Sequence, residues 1–434
     1  MPDFSNLLPP SAAAVQARRA LSLPTPATPA GRTPTPFAAA LARANAARQK
    51  PYASPLKQQQ QHAAAQRAQT SISAKAHTTS TTTTSTSSLS KPSTPPKTAA
   101  PSKPAAPAVP DKPIDAAAQA ADAGLPMALS AYPHPNGDNG RGMHWVPTTK
   151  QSRDVVDRFV AEAQRMGVKW VTFLNDGANI GDNDYLVDKL VGAGIQPIMR
   201  LYSQQLQPIK GDVTAMVQHY VAKGVHYFQP FNEPNLSVEQ PDGVPSVGRY
   251  LDAWIPAAKA IVRGGGLVGF GSLAPGGDMN DIDFLQAALA GLKQRGATNL
   301  LNRGWLSMHN YTHNHAIEER ADTDGFFKFR AYHNIVREAL GRDLPIIGTE
   351  GGTFVGEQED KTQPAVDARK AVEMAQQAYT YMRDQREPWN FAYSYWTIAN
   401  EAGGGNDASF REHALFRADG TTNPVVSALR ALRA

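Results

Sequence analysis

Two glutamates stand at the ends of apolar runs in this 434-residue chain. Glu233 follows "FQPFN" in "FQPFNEPN" (228–235), and Glu350 follows "LPIIGT" in "LPIIGTEGG" (344–352). A carboxylate so placed is either a loop residue that happens to follow a strand or a catalytic group held at a strand end. Other polar side chains repeat the placement. Asn175 and Asp176 close "VKWVTFLND", Arg200 and Tyr202 end "IQPIMRLYS", and Asn232 precedes Glu233. His309, Asn310 and Tyr311 lie in "WLSMHNYTHNH", and Trp396, Asn400 and Glu401 in "FAYSYWTIANE". If these ends meet, two carboxyl groups can share acid and base work. Cleaving a glycosidic bond needs one carboxylic acid to protonate the leaving oxygen and one carboxylate to attack, about 5–5.5 Å apart when configuration is retained.

Such convergence needs a scaffold that aims many strand ends at one point. Eight short apolar runs stand between about residues 142 and 401, the first being "GMHWV" (142–146) and the fifth "LVGFGSLAPGG" (267–277). Amphipathic stretches separate them, among them 152–167, which opens at Ser152 and closes at Gly167, then 211–224, 325–341, 365–387 and 423–434. The alternation predicts a (β/α)8 barrel over residues 123–434. An open doubly wound sheet would want a Gly-rich phosphate loop after an early strand, and none is present. "RGGGLVGFG" (263–271) enters a strand and reads as a turn.

Barrel chemistry lies at the carboxyl ends of the strands. Strand parity sorts the side chains. Ser307, His309 and Tyr311 face the axis if Leu306 and Met308 face the helices. Arg200 and Tyr202 face it if Met199 and Leu201 face out. Glu350 is expected to share the inward set with Ile346 and Gly348.

Residues 1–122 have a different composition. The first 120 residues hold three aromatics (Phe4, Phe37, Tyr52), 18 of the 34 Pro, and 13 Lys+Arg against 3 Asp+Glu. The basic balance of the chain, +5, therefore belongs to the tail, and the remainder is near −5. So little apolar surface cannot offset backbone entropy, and a disordered tail is expected. Its charge suits an anionic polymer or surface, or a plain solvated spacer; specific nucleic-acid recognition is not expected. The chain has no Cys, which excludes disulfides and thiolate metal sites, and no apolar run long enough for a membrane helix. The N-terminus lacks the pattern of a standard secretory signal, although the tail and the chemistry suit an extracellular or cell-envelope setting. A monomer is expected.

Taken together, "NEP", "GTEGG" and "YWTIANE" resemble the clan A glycoside hydrolases, nearest to the family 5, 39 and 53 branches. The resemblance covers about residues 125–434. It implies a (β/α)8 barrel that cleaves a poly- or oligosaccharide with retention, and no cofactor or metal. By that likeness Glu233 matches the acid/base and Glu350 the nucleophile. Asn232 matches the contact to the sugar 2-hydroxyl, Tyr311 the hydrogen-bond partner of the nucleophile with His309 beside it, and Trp396 the aromatic floor under the reacting sugar. The resemblance also implies an Arg near the nucleophile; Arg200 fits that role or an ordinary ion pair. His144 and Trp145 fit sugar contacts or core packing. Tyr202 and Asn175 complete the expected substrate-binding set. Trp396, at a strand end, is expected to be an exposed platform. Endo action is expected, with specificity in loops 235–247, 312–324, 352–364 and 401–413.

Two other readings keep the same barrel. A non-catalytic carbohydrate-binding or wall-associated barrel would retain the aromatic rim and lose a carboxylate. A metal-dependent barrel would draw ligands from successive strand ends; of the three His in "HNYTHNH", His313 and His315 are expected in a loop past the strand.

Overall fold

The computed structural model describes residues 124–319, 325–402, 405–406 and 410–432. The tail, 1–122, lies outside these residues. Eight strands alternate with eight α-helices: β1 (Arg141–His144), α1 (Arg153–Arg165), β2 (Trp170–Asp176), α2 (Asp184–Gly192), β3 (Gln196–Tyr202), α3 (Val213–Ala222), β4 (Tyr227–Pro230), α4 (Val247–Arg263), β5 (Leu267–Leu273), α5 (Asp281–Gln294), β6 (Gly304–Tyr311), α6 (Phe329–Leu340), β7 (Ile346–Gly352), α7 (Ala368–Asp384), β8 (Asn390–Tyr395) and α8 (Val425–Ala431). The strands form one closed barrel in sequence order, and β8 closes on β1 in parallel register. This is the (β/α)8 architecture read from the alternation. No helix among the described residues is long and apolar enough to cross a membrane.

Local chemistry starts and stops the helices. Asp212 accepts from Ala215 N–H at 3.0 Å to cap α3, and Asn280 accepts from Ile282 N–H at 3.0 Å to cap α5. Asp367 caps α7 through Lys370 N–H at 2.7 Å. Each cap satisfies an N–H that the first turn cannot. Ser152 holds the cap position of α1 without a side-chain bond to the helix. Gly341, in the left-handed region at φ 69°, ends α6, where a Cβ would add strain.

The barrel interior is layered. Trp170, Ile198, Tyr227, Leu267, Trp305, Ile347 and Phe391, one from each strand β2–β8, fill the lower layer. The segment before β1 plugs this end. Tyr132 Oη donates to Gly304 O (2.8 Å), Tyr227 Oη to Pro133 O (2.7 Å), and Trp170 Nε1 to Asp138 Oδ1 (2.8 Å). Above it a polar layer joins Ser307 to Gln229 (3.1 Å) and Thr349 (2.8 Å). At the seam, Arg141 of β1 donates to Leu432 O just past α8 (3.5 Å).

Parity holds on β3 and β6, where Met199, Leu201, Leu306 and Met308 join the outer core. It fails on lower β7. Ile346 packs outward and Ile347 lies in the inner layer. The cause is a bulge: Met308 pairs with Gly348 but His309 pairs with Glu350, so Thr349 is the extra residue. Glu350 still reaches the axis, by way of the bulge and not of unbroken alternation from Ile346.

Candidate active site

β4 ends at Pro230, and the chain then turns sharply. Phe231 (φ 63°) and Glu233 (φ 37°) both adopt left-handed backbone, a conformation that costs a non-glycine residue about 1–3 kcal/mol. The turn is held from β5. Ser272, itself left-handed at φ 56° where the β5–β6 register slips, accepts from Glu233 N–H at 2.9 Å. Glu233 is thereby fixed with its side chain wholly buried.

Glu350 faces it. Arg200 Nη1 donates to Glu350 Oε1, and Tyr311 Oη donates to Glu350 Oε2 at 2.7 Å. His309 stands between the two glutamates, its Nδ1 3.0 Å from Glu233 Oε1 and 3.6 Å from Glu350 Oε2. Oxygens of the two carboxyl groups lie within 4.8 Å of each other. Burial pushes the Glu350 carboxyl up, but the attraction of His309 and Arg200 and the Tyr311 hydrogen bond outweigh it, and the group is held below the usual carboxylate range. His144 Nδ1 donates to Trp145 O at 2.8 Å. Burial, aided by Arg200, pushes His144 down to about 3. It is neutral near pH 7, so Arg200 supplies the permanent charge beside Glu350.

Asn232 ties these groups together. Its Oδ1 accepts from Arg200 Nη1 (2.8 Å), and its Nδ2 lies 3.4 Å from Glu233 Oε2 and 3.4 Å from Glu239 Oε1. Glu239, buried in the short turn after β4, was not among the residues singled out from the sequence. A charged residue six positions past Glu233 carries no period or motif that marks it.

Trp396 does not form an exposed platform. It is 1% exposed, packed with Tyr311 and Phe410, with His144 at 4.1 Å and Phe410 edge-on at 5.4 Å between ring centroids. Phe410, which lies beyond β8 in the chain, packs against the indole and helps to bury it. The Trp396–Thr397 peptide is cis. Among the described residues, three buried polar atoms here have no hydrogen-bond partner: His144 Nε2, His309 Nε2 and Trp396 Nε1.

Two other expected contacts sit differently, and Tyr202 lies beside the site. Trp145 is core. It follows inward-facing His144, so it points to the helices, meets Phe159 edge-on at 6.3 Å and donates to Gln151 Oε1 at 3.1 Å. Asn175 organises the loop after β2, donating to Gly177 O (2.9 Å) and Asn179 O (3.0 Å) and accepting from Asn183 Nδ2 (2.9 Å). Half-buried Tyr202 lines a small recess beside Arg200, Phe231, Asn232 and Glu239. His313 and His315 lie beyond the end of β6, as expected.

Glu233, His309 and Glu350 are of types that ligate divalent ions, and their donor atoms are mutually close. Arg200 and Tyr311 already bond the Glu350 oxygens. A cation would have to displace a buried guanidinium, so the set fits a metal poorly.

No protein-family model and no curated protein sequence matches the chain. Among solved structures, it is similar to a monomeric β-xylosidase from Caulobacter crescentus CB15 (18% identity, 70% of this chain and 71% of that one, TM-score 0.47). It is also similar to a family 39 glycoside hydrolase from Bacteroides cellulosilyticus WH2 (13%, 68% and 64%, 0.46) and to an endo-β-1,4-mannanase from Thermotoga petrophila (12%, 70% and 77%, 0.42).

Proposed function

We propose that the barrel is a retaining glycoside hydrolase, with Glu350 as nucleophile and Glu233 as acid/base. The observation that carries this reading is the pair of buried carboxyl groups whose oxygens lie within 4.8 Å, the spacing that double displacement uses and too close for a water to attack between them. In the first step a Glu350 oxygen bonds to the anomeric carbon, the bond to the leaving oxygen breaks, and Glu233 gives that oxygen its proton. In the second, Glu233 takes a proton from water, the water oxygen bonds to the anomeric carbon, and Glu350 leaves as a carboxylate. Arg200 and Tyr311 hold the Glu350 carboxylate ready. The unpartnered His144, His309 and Trp396 nitrogens suit sugar hydroxyls, since buried polar atoms ordinarily have partners. Asn232 is assigned to the 2-hydroxyl, and the substrate to a poly- or oligosaccharide cleaved internally. We assign the tail, 1–122, to contact with an anionic polymer or to a solvated spacer.

The test begins with a panel of 2,4-dinitrophenyl glycosides and polysaccharides. On a glycoside that is cleaved, Glu350→Gln is expected to be inactive. Glu233→Ala should form the glycosyl-enzyme yet turn over about 10²–10⁴-fold more slowly, and azide should restore its rate by releasing a glycosyl azide. NMR of the first product should show the substrate's own anomer; the inverted anomer would refute the assignment.

A further inference from the structure

A third carboxylate stands behind the pair. Glu239 closes the short turn Ser237–Glu239 and is 4% exposed. The turn is held from several sides. Leu206 N–H donates to Glu239 O (2.8 Å), Gln240 Nε2 to Pro234 O (2.6 Å), and Arg249 Nη1 to Gln240 Oε1 (2.7 Å). The backbone that carries the Glu239 carboxylate is therefore fixed, and Asn232 is among the groups the carboxylate touches.

An Asn side chain offers one acceptor oxygen and two N–H donors. For Asn232 the oxygen faces the Arg200 guanidinium, and the nitrogen lies between Glu233 and Glu239 at 3.4 Å from each. Turning the amide over would set its oxygen against two carboxyl groups and its N–H donors against a cation. Without Glu239, the nitrogen keeps only one long bond, to a residue whose hydrogen bonding must change during turnover. We infer that Glu239 is a positioning residue: it fixes the Asn232 amide so that the side chain meets the sugar 2-hydroxyl in one orientation. The inference rests on the reading of Asn232 given above. It goes beyond that reading in giving the buried Glu239 a task, and in making recognition of the 2-position depend on a residue that does not touch the sugar.

Two measurements on the full chain test it. In the first, Asn side chains carry ¹⁵N, and the Asn232 amide is identified by its loss in Asn232→Ala. Glu239→Ala and Glu239→Gln are each expected to shift the Asn232 amide proton that faces Glu239, and Glu239→Ala to speed its exchange. The second uses a 2,4-dinitrophenyl glycoside from the panel and its 2-deoxy counterpart. Asn232→Ala and Glu239→Ala should each lose about 10–100-fold in kcat/KM on the 2-hydroxy sugar, while Glu239→Gln, which keeps an acceptor oxygen, stays within about threefold. The double variant Asn232→Ala/Glu239→Ala should lose no more than Asn232→Ala alone, as coupled neighbours do. Neither single variant should lose further on the 2-deoxy sugar. Unmoved Asn232 resonances in Glu239→Gln, losses that multiply in the double variant, or an equal loss on the 2-deoxy sugar would each overturn the inference. If Glu239→Ala does not fold, Glu239→Gln still supplies the spectrum. If the wild type cleaves nothing in the panel, the glycosidase reading falls, and the spectra still decide whether Glu239 holds Asn232.

Discussion

At the scale of single residues, His309 and Arg200 together set the charge state on which the proposed chemistry depends. Burial alone would push Glu350 above its ordinary value of 4.5, and its neighbours reverse that. A depressed carboxyl stays ionised as pH falls below its ordinary value, so the acid limb of kcat/KM should lie below pH 4.5. The stability linked to Glu350 is present above the unfolded pKa and is lost as pH falls through the folded one. Arg200→Met removes one of the attractions that offset burial and leaves those of His309 and Tyr311. The acid limb should move up, and the fold should lose about 3–5 kcal/mol at neutral pH, because a buried carboxylate loses its guanidinium partner. A pH–rate profile and a urea melt check both, and an unmoved acid limb would mean that Arg200 is an ordinary ion pair. Much of this site could be read in advance. Glu233, Glu350, Asn232, Arg200, His309, Tyr311, His144 and Trp396 do meet at one end of the barrel. Trp145 and Asn175 do not, and parity would have excluded them: on β2 the even positions face inward with Trp170, so Asn175 faces out, just as Trp145 does after His144. Glu239 was not legible, because a buried charge in a loop shows neither period nor motif.

At the scale of elements, the segment after β8 matters most. Phe410 is wholly buried and edge-on to Trp396, so it helps to bury the indole. The Trp396–Tyr311–Phe410 cluster is separate from the main core. Phe410→Ala is expected to make one more Trp accessible to acrylamide and to raise KM, with the melting temperature lowered by at least about 3 °C because a buried aromatic is lost. Unchanged quenching would show that something else covers Trp396. All eight strands were legible as short apolar runs bounded by turn residues. The helices α2, α4 and α5 were not singled out, and each has a physical reason. α2 has only nine residues, α4 contains Pro256, and α5 carries Gly291 in its last turn, so their helical signals are diluted. The bulge at Thr349 left no trace in the sequence, since one extra residue in an apolar run reads like any other.

At the scale of the whole molecule, the boundary between tail and barrel can be tested by where the chain begins. A chain starting at Asp122 keeps the plug and should melt with the full-length protein. One starting at His134 loses Tyr132 and its bond to Gly304, and should melt at least about 3 °C lower, since a buried aromatic is worth several kcal/mol. Equal melting of the two would mean that the plug adds nothing. The seam has a different consequence. Arg141 and Leu432 meet where β1 and β8 close the ring, so the start of the first strand and the end of the last helix are already neighbours. A closed ring whose loose ends touch has no obligatory first strand: the order in which the gene writes the eight units is a convention, and the polypeptide could be opened in the α5–β6 connection and rejoined near Leu432. Such a rearranged chain should refold to a barrel with the same circular dichroism spectrum, and the one thing it should lose is the order in which its strands emerge during synthesis.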